Sequence, residues 1–274
     1  VRALLLGVLL AAAAPARAQD SGADQWDARV TAATGEVVVY PADGSPEVTG
    51  DVDMPLVQGD RVVTSADSTA EIALDGGSLI ALSPNSDFTL ENTRKSASIF
   101  SLTLGSLIAK IEKLGTQSLS IRSPSSVAAV RGTEFGVDVD GGNSHVGVFD
   151  EGHVEVQGTT GAKEMLSPNQ ETSVARGQAP ARAAALSRFA GRREAMRAHV
   201  ARLETVRRNW KKISPRARRA ARARVLRNAR QRRLRNLKKR GPVPSDRERR
   251  REVPRRQPRR APKKKAKKPA KREP

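Results

Sequence analysis

The run SVAAVRGTEFGVDVDGGNSHVGVFDEGHVEVQ, residues 126–157, decides the fold. It holds four short segments, Ser126 to Val130, Glu134 to Val139, His145 to Phe149 and His153 to Gln157, separated by breaks that mostly carry glycine. Within them valine and other apolar residues tend to alternate with small or polar ones. Successive side chains of an extended strand point to opposite faces, whereas a helix repeats every 3.6 residues, so this texture reads as strand. A three-residue loop at Asp150-Glu151-Gly152, with Gly152 left-handed, would pair Phe149 with His153 and Val148 with Val154. Val146 then faces Val156 and the four valines share one side of a hairpin, which a two-residue loop would not achieve. In that register His145 and His153 stand roughly 13 Å apart at about 3.3 Å per residue, too far for one metal ion. Both read as solvated sheet-face histidines, and no metal or other cofactor is expected.

The same texture extends outward. Segments at Glu36 to Tyr40, Arg61 to Thr64, Ala70 to Leu74, Ser78 to Leu82, Asp87 to Glu91, Ser98 to Leu104, Ser106 to Ile111 and Ser118 to Arg122 are strand-like. No helical period is sustained over ten residues. A phrase in which glycine enters a strand recurs at Gly35, Gly59, Gly105 and Gly152, a hint of internal duplication. The expected class is all-β over residues 30–178, either a sandwich or a short β-solenoid. Asp75-Gly76-Gly77-Ser78 reads as a hairpin turn, and Asp138, Asp140, Gly141 and Gly142 as a plain turn, the calcium spacing being broken at Gly142.

Little here points to catalysis. There is no cysteine among 274 residues, which excludes thiol chemistry and thiolate metal sites. No Gly-x-Ser-x-Gly elbow occurs, and the third histidine, His199, has no evident triad partners. The reading is non-enzymatic.

At LSIRSPSSVAAVRGTEF the residues acquire a likeness. A strand ending in Ser123-Pro124, a short apolar strand Val127 to Val130, and Arg131-Gly132-Thr133-Glu134-Phe135 resemble the FecR domain, an extracytoplasmic all-β domain named after the regulator of bacterial iron-dicitrate uptake. Gly35 before Val37 to Val39, Leu56 to Asp60, Leu74 to Ser78, Leu102 to Gly105, and Val148 to Gly152 also match, so the resemblance covers roughly Val30 to Gly177. In such a domain Gly132 is expected to permit a turn or close approach, Thr133 to tie down the loop and Phe135 to enter the core. Arg131 is expected either to pair with Glu134 or Asp150 or to face solvent. The family's regulators resemble an anti-sigma segment, a transmembrane helix, a periplasmic domain and a receptor-contacting C-terminal domain. This chain instead resembles a stand-alone exported domain.

The expectation of export comes from VRALLLGVLLAAAAPARAQD: one charge at Arg2, an apolar run from Ala3 to Ala14, and Ala16-Arg17-Ala18 before Gln19. That is the layout of a signal peptide over 1–18, with a run too short to span a bilayer. Residues 19–29 read as a linker, and a periplasmic or otherwise extracytoplasmic location follows, with peripheral association with the envelope.

Charge divides the rest. Residues 19–180 hold 10 Lys and Arg against 23 Asp and Glu, a balance of −13, while residues 181–274 hold 38 against 6, a balance of +32. Such a change near Ala179-Pro180 argues for two physical units. In the second, residues 179–240 read as basic and helical. Leu186, Phe189, Met196, Val200, Leu203, Val206, Trp210 and Ile213 form a stripe that could dock on the β domain, form a coiled coil with another chain or lie on an anionic membrane. A second helix, Arg216 to Lys239, carries few apolar residues and is expected to bury little. Residues 241–274 read as a disordered Pro/Lys/Arg-rich tail whose Lys263, Lys264, Lys265, Lys267, Lys268 and Lys271 attract polyanions.

Together these features describe a non-enzymatic exported binding or scaffold protein of the bacterial cell envelope. Its partners would be an anionic envelope polymer or lipid headgroups for the tail and an envelope protein or glycan for the β domain. The alternatives are a nucleic-acid-binding protein acting through the basic region, or a component of envelope signalling.

Overall fold

The computed structural model describes residues 24–113, 115, 118–210 and 214–240. The segment read as a signal peptide and the tail 241–274, with Lys263, Lys264, Lys265, Lys267, Lys268 and Lys271, lie outside the described residues.

The protein is mostly β, with two helices after the strands. Its strands form one continuous 17-stranded system with two faces. The first sheet runs β4 (Pro55–Leu56), β1 (Ala28–Thr34), β6 (Thr69–Leu74), β7 (Leu79–Leu82), the second half of β9 (Ser98–Lys110), β12 (Glu134–Asp140), β13 (Asn143–Val148), β16 (Gln170–Val174) and β17 (Ala184–Ala185). The second runs β3 (Val48–Thr49), β2 (Val37–Tyr40), β5 (Arg61–Thr64), β8 (Asp87–Asn92), the first half of β9, β10 (Leu119–Arg122), β11 (Ser126–Arg131), β14 (His153–Gly158) and β15 (Lys163–Leu166). All pairings are antiparallel except β9 with β10. Strand order in both sheets advances almost entirely with the chain, so two sandwich-like faces are built by a solenoid-like progression. One core lies between them, with Ile72, Ile80, Phe135 and Val146 from the first sheet and Val39, Val62, Phe88, Phe100 and Val154 from the second. Phe88 and Phe100 meet edge to face at 5.7 Å.

The hairpin expected at Asp150-Glu151-Gly152 does not form. β13 pairs with β12 and β16, and β14 with β11 and β15. Between Val148 and His153 the chain turns from the first sheet into the second. Val146, Val148, Val154 and Val156 are all fully buried, but they line the core from opposite sheets. Alternation reports which side of a strand is buried, and a core between two sheets imposes the same alternation as a hairpin face.

The recurrent glycines mark such corners. Gly35 lies between β1 and β2, Gly59 between β4 and β5, Gly105 at the bend of β9 and Gly152 between β13 and β14, and each has positive φ: 72°, 85°, 85° and 86°. At every one the chain changes sheet. At three of them a hydroxyl on a neighbouring turn fastens the corner. Glu36 N–H donates to Ser68 Oγ at 2.9 Å, Ser106 N–H to Ser86 Oγ at 3.0 Å, and Thr133 Oγ1 donates to His153 O at 3.0 Å. Each of those hydroxyl residues follows a left-handed one, Asp67, Asn85 or Gly132. A Cβ on Gly105 would sit 2.5 Å from the Asn85 carbonyl, so glycine is required there by space as well as by φ.

The sequence reading starts the β domain at residue 30, but in the structure the domain starts earlier. Gln25 bridges to Arg94, Trp26 is 4% exposed with its indole N–H donated to Ser98 Oγ at 2.7 Å, and β1 starts at Ala28. The apolar ring of Trp26 packs over Gly76 of the β6–β7 turn, which draws this stretch into the domain.

At the other end, the compact unit runs through Gln231, beyond the charge boundary. The first helix, α1 (Ala190–Asn209), starts after the first two residues of the stripe, Leu186 and Phe189, and just before them Ala184 and Ala185 extend along β16. After a break at Trp210, α2 (Pro215–Arg240) begins with proline at its first position and Ser214 Oγ accepting Ala217 N–H at 3.2 Å. Among the described residues no helix is long and apolar enough to cross a membrane.

Candidate interaction surface

The motif residues are brought together at a corner of the fold, where they hold it. Thr133 and Phe135 are fully buried, and Gly132 is buried with φ 62°. Thr133 exchanges both backbone hydrogen bonds with Ile111 at 3.0 Å while its hydroxyl meets His153 O, so the Arg-Gly-Thr turn locks β9, β12 and the Gly152 corner together. Ser123 sits 2.7 Å from the Ser144 hydroxyl and 2.8 Å from that of Ser126, and Pro124 is exposed beside it. Ser125 extends the cluster to the Val174 carbonyl, tying the two sheets at that end. Arg131 is exposed and makes no ion pair among the described residues. Of its two suggested partners, Glu134 is held by Lys110 at 3.1 Å, and Asp150 by Arg193 and Arg197 at 3.2 and 3.4 Å. His145 and His153 lie on different sheets. Burial and the nearby Arg188 charge lower the His145 pKa, which favours its neutral form. Among the described residues no group of three or more His, Cys, Asp and Glu is arranged to hold a metal.

The chemistry that stands out lies where the basic helices meet the acidic sheet. β7 reads Leu-Ile-Ala-Leu and is buried throughout, because the first sheet is covered on both faces. On its outer face Leu79, Ala81, Ile108 and Phe149 form a second apolar layer with Phe189, Met196 and Leu203, flanked by Leu186 and Val200. Gly136 and Gly147 are cross-strand partners and form the socket for Phe189. A Cβ on either would approach the Phe189 ring to 2.7 or 2.6 Å. Phe149 meets Phe189 edge to face at 6.4 Å.

Around this apolar seam the sheet presents carboxylates and the helix cations. Asp138 accepts from Arg188 Nε at 2.8 Å and Arg192 Nη1 at 2.6 Å, and Arg192 also reaches Ser106 Oγ. Glu71 is 2% exposed. It accepts from Thr31 Oγ1 at 2.7 Å, with His199 Nδ1 at 2.9 Å and Arg202 at 3.3 Å. Arg207 pairs with Glu112 at 2.6 Å. Glu171 receives the free backbone N–H groups of Ser187 and Arg188 just ahead of α1, giving the helix entrance the carboxylate its own sequence lacks.

The second helix buries more than its composition promised. Arg222 forks onto Asp60, which is fully buried, at 2.6 and 2.7 Å and donates to the Pro55 carbonyl at 3.1 Å. Arg218 pairs with Asp27 at 3.3 Å, and Val225, Leu226 and Ala229 pack against the main core. Arg29 stacks over Trp210 at 4.4 Å. An arginine-dominated helix can bury a face because a guanidinium fork matches a carboxylate and its stem is apolar.

These pairs make the seam sensitive to acid. Burial alone raises the Glu71 and Asp138 carboxyls, but hydrogen bonds, from His199 and Thr31 to the first and from Ser106, Arg192 and Arg188 to the second, together with nearby positive charge, bring both below their ordinary values. Glu171, likewise raised by burial, is lowered by Ser187 and the backbone N–H groups. A carboxyl whose folded pKa is depressed adds stability above its unfolded pKa, about 4, and loses it as pH falls through the folded value. The melting temperature is therefore expected to drop between about pH 5 and pH 3, and to drop less for Glu71→Gln. An equal drop in both proteins would show that Glu71 does not contribute.

No curated protein matches the chain. Among solved structures, two crystal structures of a "putative anti-sigma factor" from Parabacteroides distasonis ATCC 8503 match at 14% identity and a TM-score of 0.42, over 47% of this chain and 61% of theirs. The chain thus spans about three fifths of that protein's length. Residues 60–155, from the buried Asp60 to the last strand that the Arg-Gly-Thr corner fastens, match the family model described as FecR protein, and the segment is a FecR domain.

Proposed function

We propose that this protein is a non-enzymatic binding or scaffold module of the bacterial cell envelope, in which the FecR domain is the rigid base for a basic C-terminal region that attaches electrostatically to a polyanion. The observation that carries the reading is the division of labour among the arginines. Those of α1 mostly turn to the acidic sheet: Arg188 just ahead of the helix, with Arg192, Arg193, Arg197, Arg202 and Arg207, all meet carboxylates of the β domain. Most arginines of α2 face solvent, and the Lys/Arg tail follows. The apolar stripe of α1 is occupied by the sheet, leaving the basic surface to act by charge.

Two measurements test this. N-terminal sequencing of the mature protein recovered from an envelope fraction is expected to begin at Gln19, and a cytoplasmic protein retaining its first residues would defeat the exported reading. The full chain is expected to leave that fraction as salt is raised. A chain that stays soluble at low salt would defeat electrostatic attachment.

A further inference from the structure

Resting on that reading, we infer that the outward face of α2, carrying Arg216, Arg224, Arg227 and Arg230, is a docking surface for a layer of anionic phospholipid headgroups. All four side chains are exposed, and Arg216, Arg224 and Arg227 make no ion pair among the described residues. Arg230 makes a 3.4 Å contact to Ser45 Oγ and lies near enough to Asp43 to help lower that carboxyl's pKa. At 3.6 residues per turn they fall on the side opposite Arg218, Arg222, Val225 and Ala229, which bind the β domain. From Arg216 to Arg230 the helix rises about 21 Å. The face between them is completed by Ala220, Ala223 and Gln231, with no acidic residue.

Three features favour a headgroup layer. The helix is docked along one side, so only its outward face is available. A flat, laterally mobile array of phosphates can meet such a face, whereas a duplex groove must admit most of a helix's girth. The face holds no aromatic residue, which removes the stacking on which single-stranded nucleic acid binding relies. Between Arg216 and Arg230 it holds no large apolar residue either, so contact along that stretch rests on charge.

The test uses the full chain and sedimentation with phosphatidylcholine vesicles, with or without about a quarter of phosphatidylglycerol. Wild type is expected to bind only the anionic vesicles and to be released by salt. A variant combining Arg216→Gln, Arg224→Gln, Arg227→Gln and Arg230→Gln is expected to bind at least about ten-fold more weakly, each basic residue near such a surface contributing roughly a five-fold factor. If that variant melts lower, the corresponding four Arg→Lys changes serve instead, and are expected to retain binding. Unchanged vesicle binding by the glutamine variant overturns the inference. Loss of binding only on Lys263→Gln, Lys264→Gln, Lys265→Gln and Lys267→Gln overturns it too, while leaving the wider proposal standing. Tighter binding of wild type to a DNA duplex than to vesicles, abolished by the same four arginine changes, would replace lipid by nucleic acid as the partner. Wild type that binds neither vesicles nor duplex defeats the wider proposal itself.

Discussion

Phe189→Ala is expected to lower the stability of the protein by about 3–5 kcal/mol, as large-to-small changes at fully buried aromatic positions do. Phe189 is 0% exposed and is the one aromatic side chain that α1 and its lead-in segment insert into the sheet's outer layer. Its loss leaves Phe149 and the Gly136–Gly147 pair facing an empty socket, because those glycines have no side chains with which to close it. The main core between the sheets does not include Phe189, so damage is expected to begin at α1. Urea denaturation should report the lost stability, and hydrogen exchange should show amides of α1 opening before those of β14. A reciprocal change sharpens the argument. Gly147→Val alone should be destabilising, because its Cβ would meet the ring, yet part of that cost should disappear in combination with Phe189→Ala. A loss below about 1 kcal/mol for Phe189→Ala, with exchange unchanged, would mean that α1 is not held through this socket.

The sequence showed which side of a strand is buried more readily than it showed the strand's neighbour. Val154 and Val156 alternate with exposed or half-buried residues, and their strand lies in the second sheet with that other side open to solvent. Leu79 to Leu82 lose that alternation, and in the structure they are covered on both faces. The continuous apolar run was therefore a legible sign of a covering layer. The hairpin at Gly152 failed on the complementary point, since matching valines across a tight loop cannot be told from matching valines across a core.

The corner glycines were legible as a recurrence, but their meaning needed the φ angles and the hydroxyls opposite them. Ser68, Ser86 and Thr133 lie 33, 19 and 19 residues in sequence from Gly35, Gly105 and Gly152, so no local pattern could link them. The Phe189 socket was hidden for a similar reason. Gly136 and Gly147 read as ordinary strand glycines, and only their cross-strand pairing turns two missing side chains into one cavity. The motif at Arg131 to Phe135 was visible from the outset, yet what it does is structural: three of its residues hold a corner and Arg131 stands in solvent.

Arg222→Met is expected to cost about 3–5 kcal/mol, against less than about 0.5 kcal/mol for Arg227→Met on the same helix. The two residues are indistinguishable by local sequence, both being arginines in an arginine-rich run, and composition alone makes each a solvated charge. Arg222 is 9% exposed, however, and its fork is the countercharge of Asp60, which is 0% exposed. Asp60 follows the Gly59 corner and also accepts the N–H groups of Ala42 and Val57 at 3.0 and 2.9 Å, so it joins two loops as well as a helix. Removing the guanidinium would leave those two neutral donors to support a buried carboxylate. They partly offset the loss, but they do not supply a charge. Arg222→Lys keeps the charge without the planar fork and is expected to fall between wild type and the methionine variant. Equilibrium unfolding of the three variants separates the alternatives. If Arg222→Met and Arg227→Met destabilise equally, the Asp60 pair is not what fastens α2. If only Arg222→Met does, the arginines of one helix divide into anchors and an outward surface, the division on which attachment to a polyanion depends.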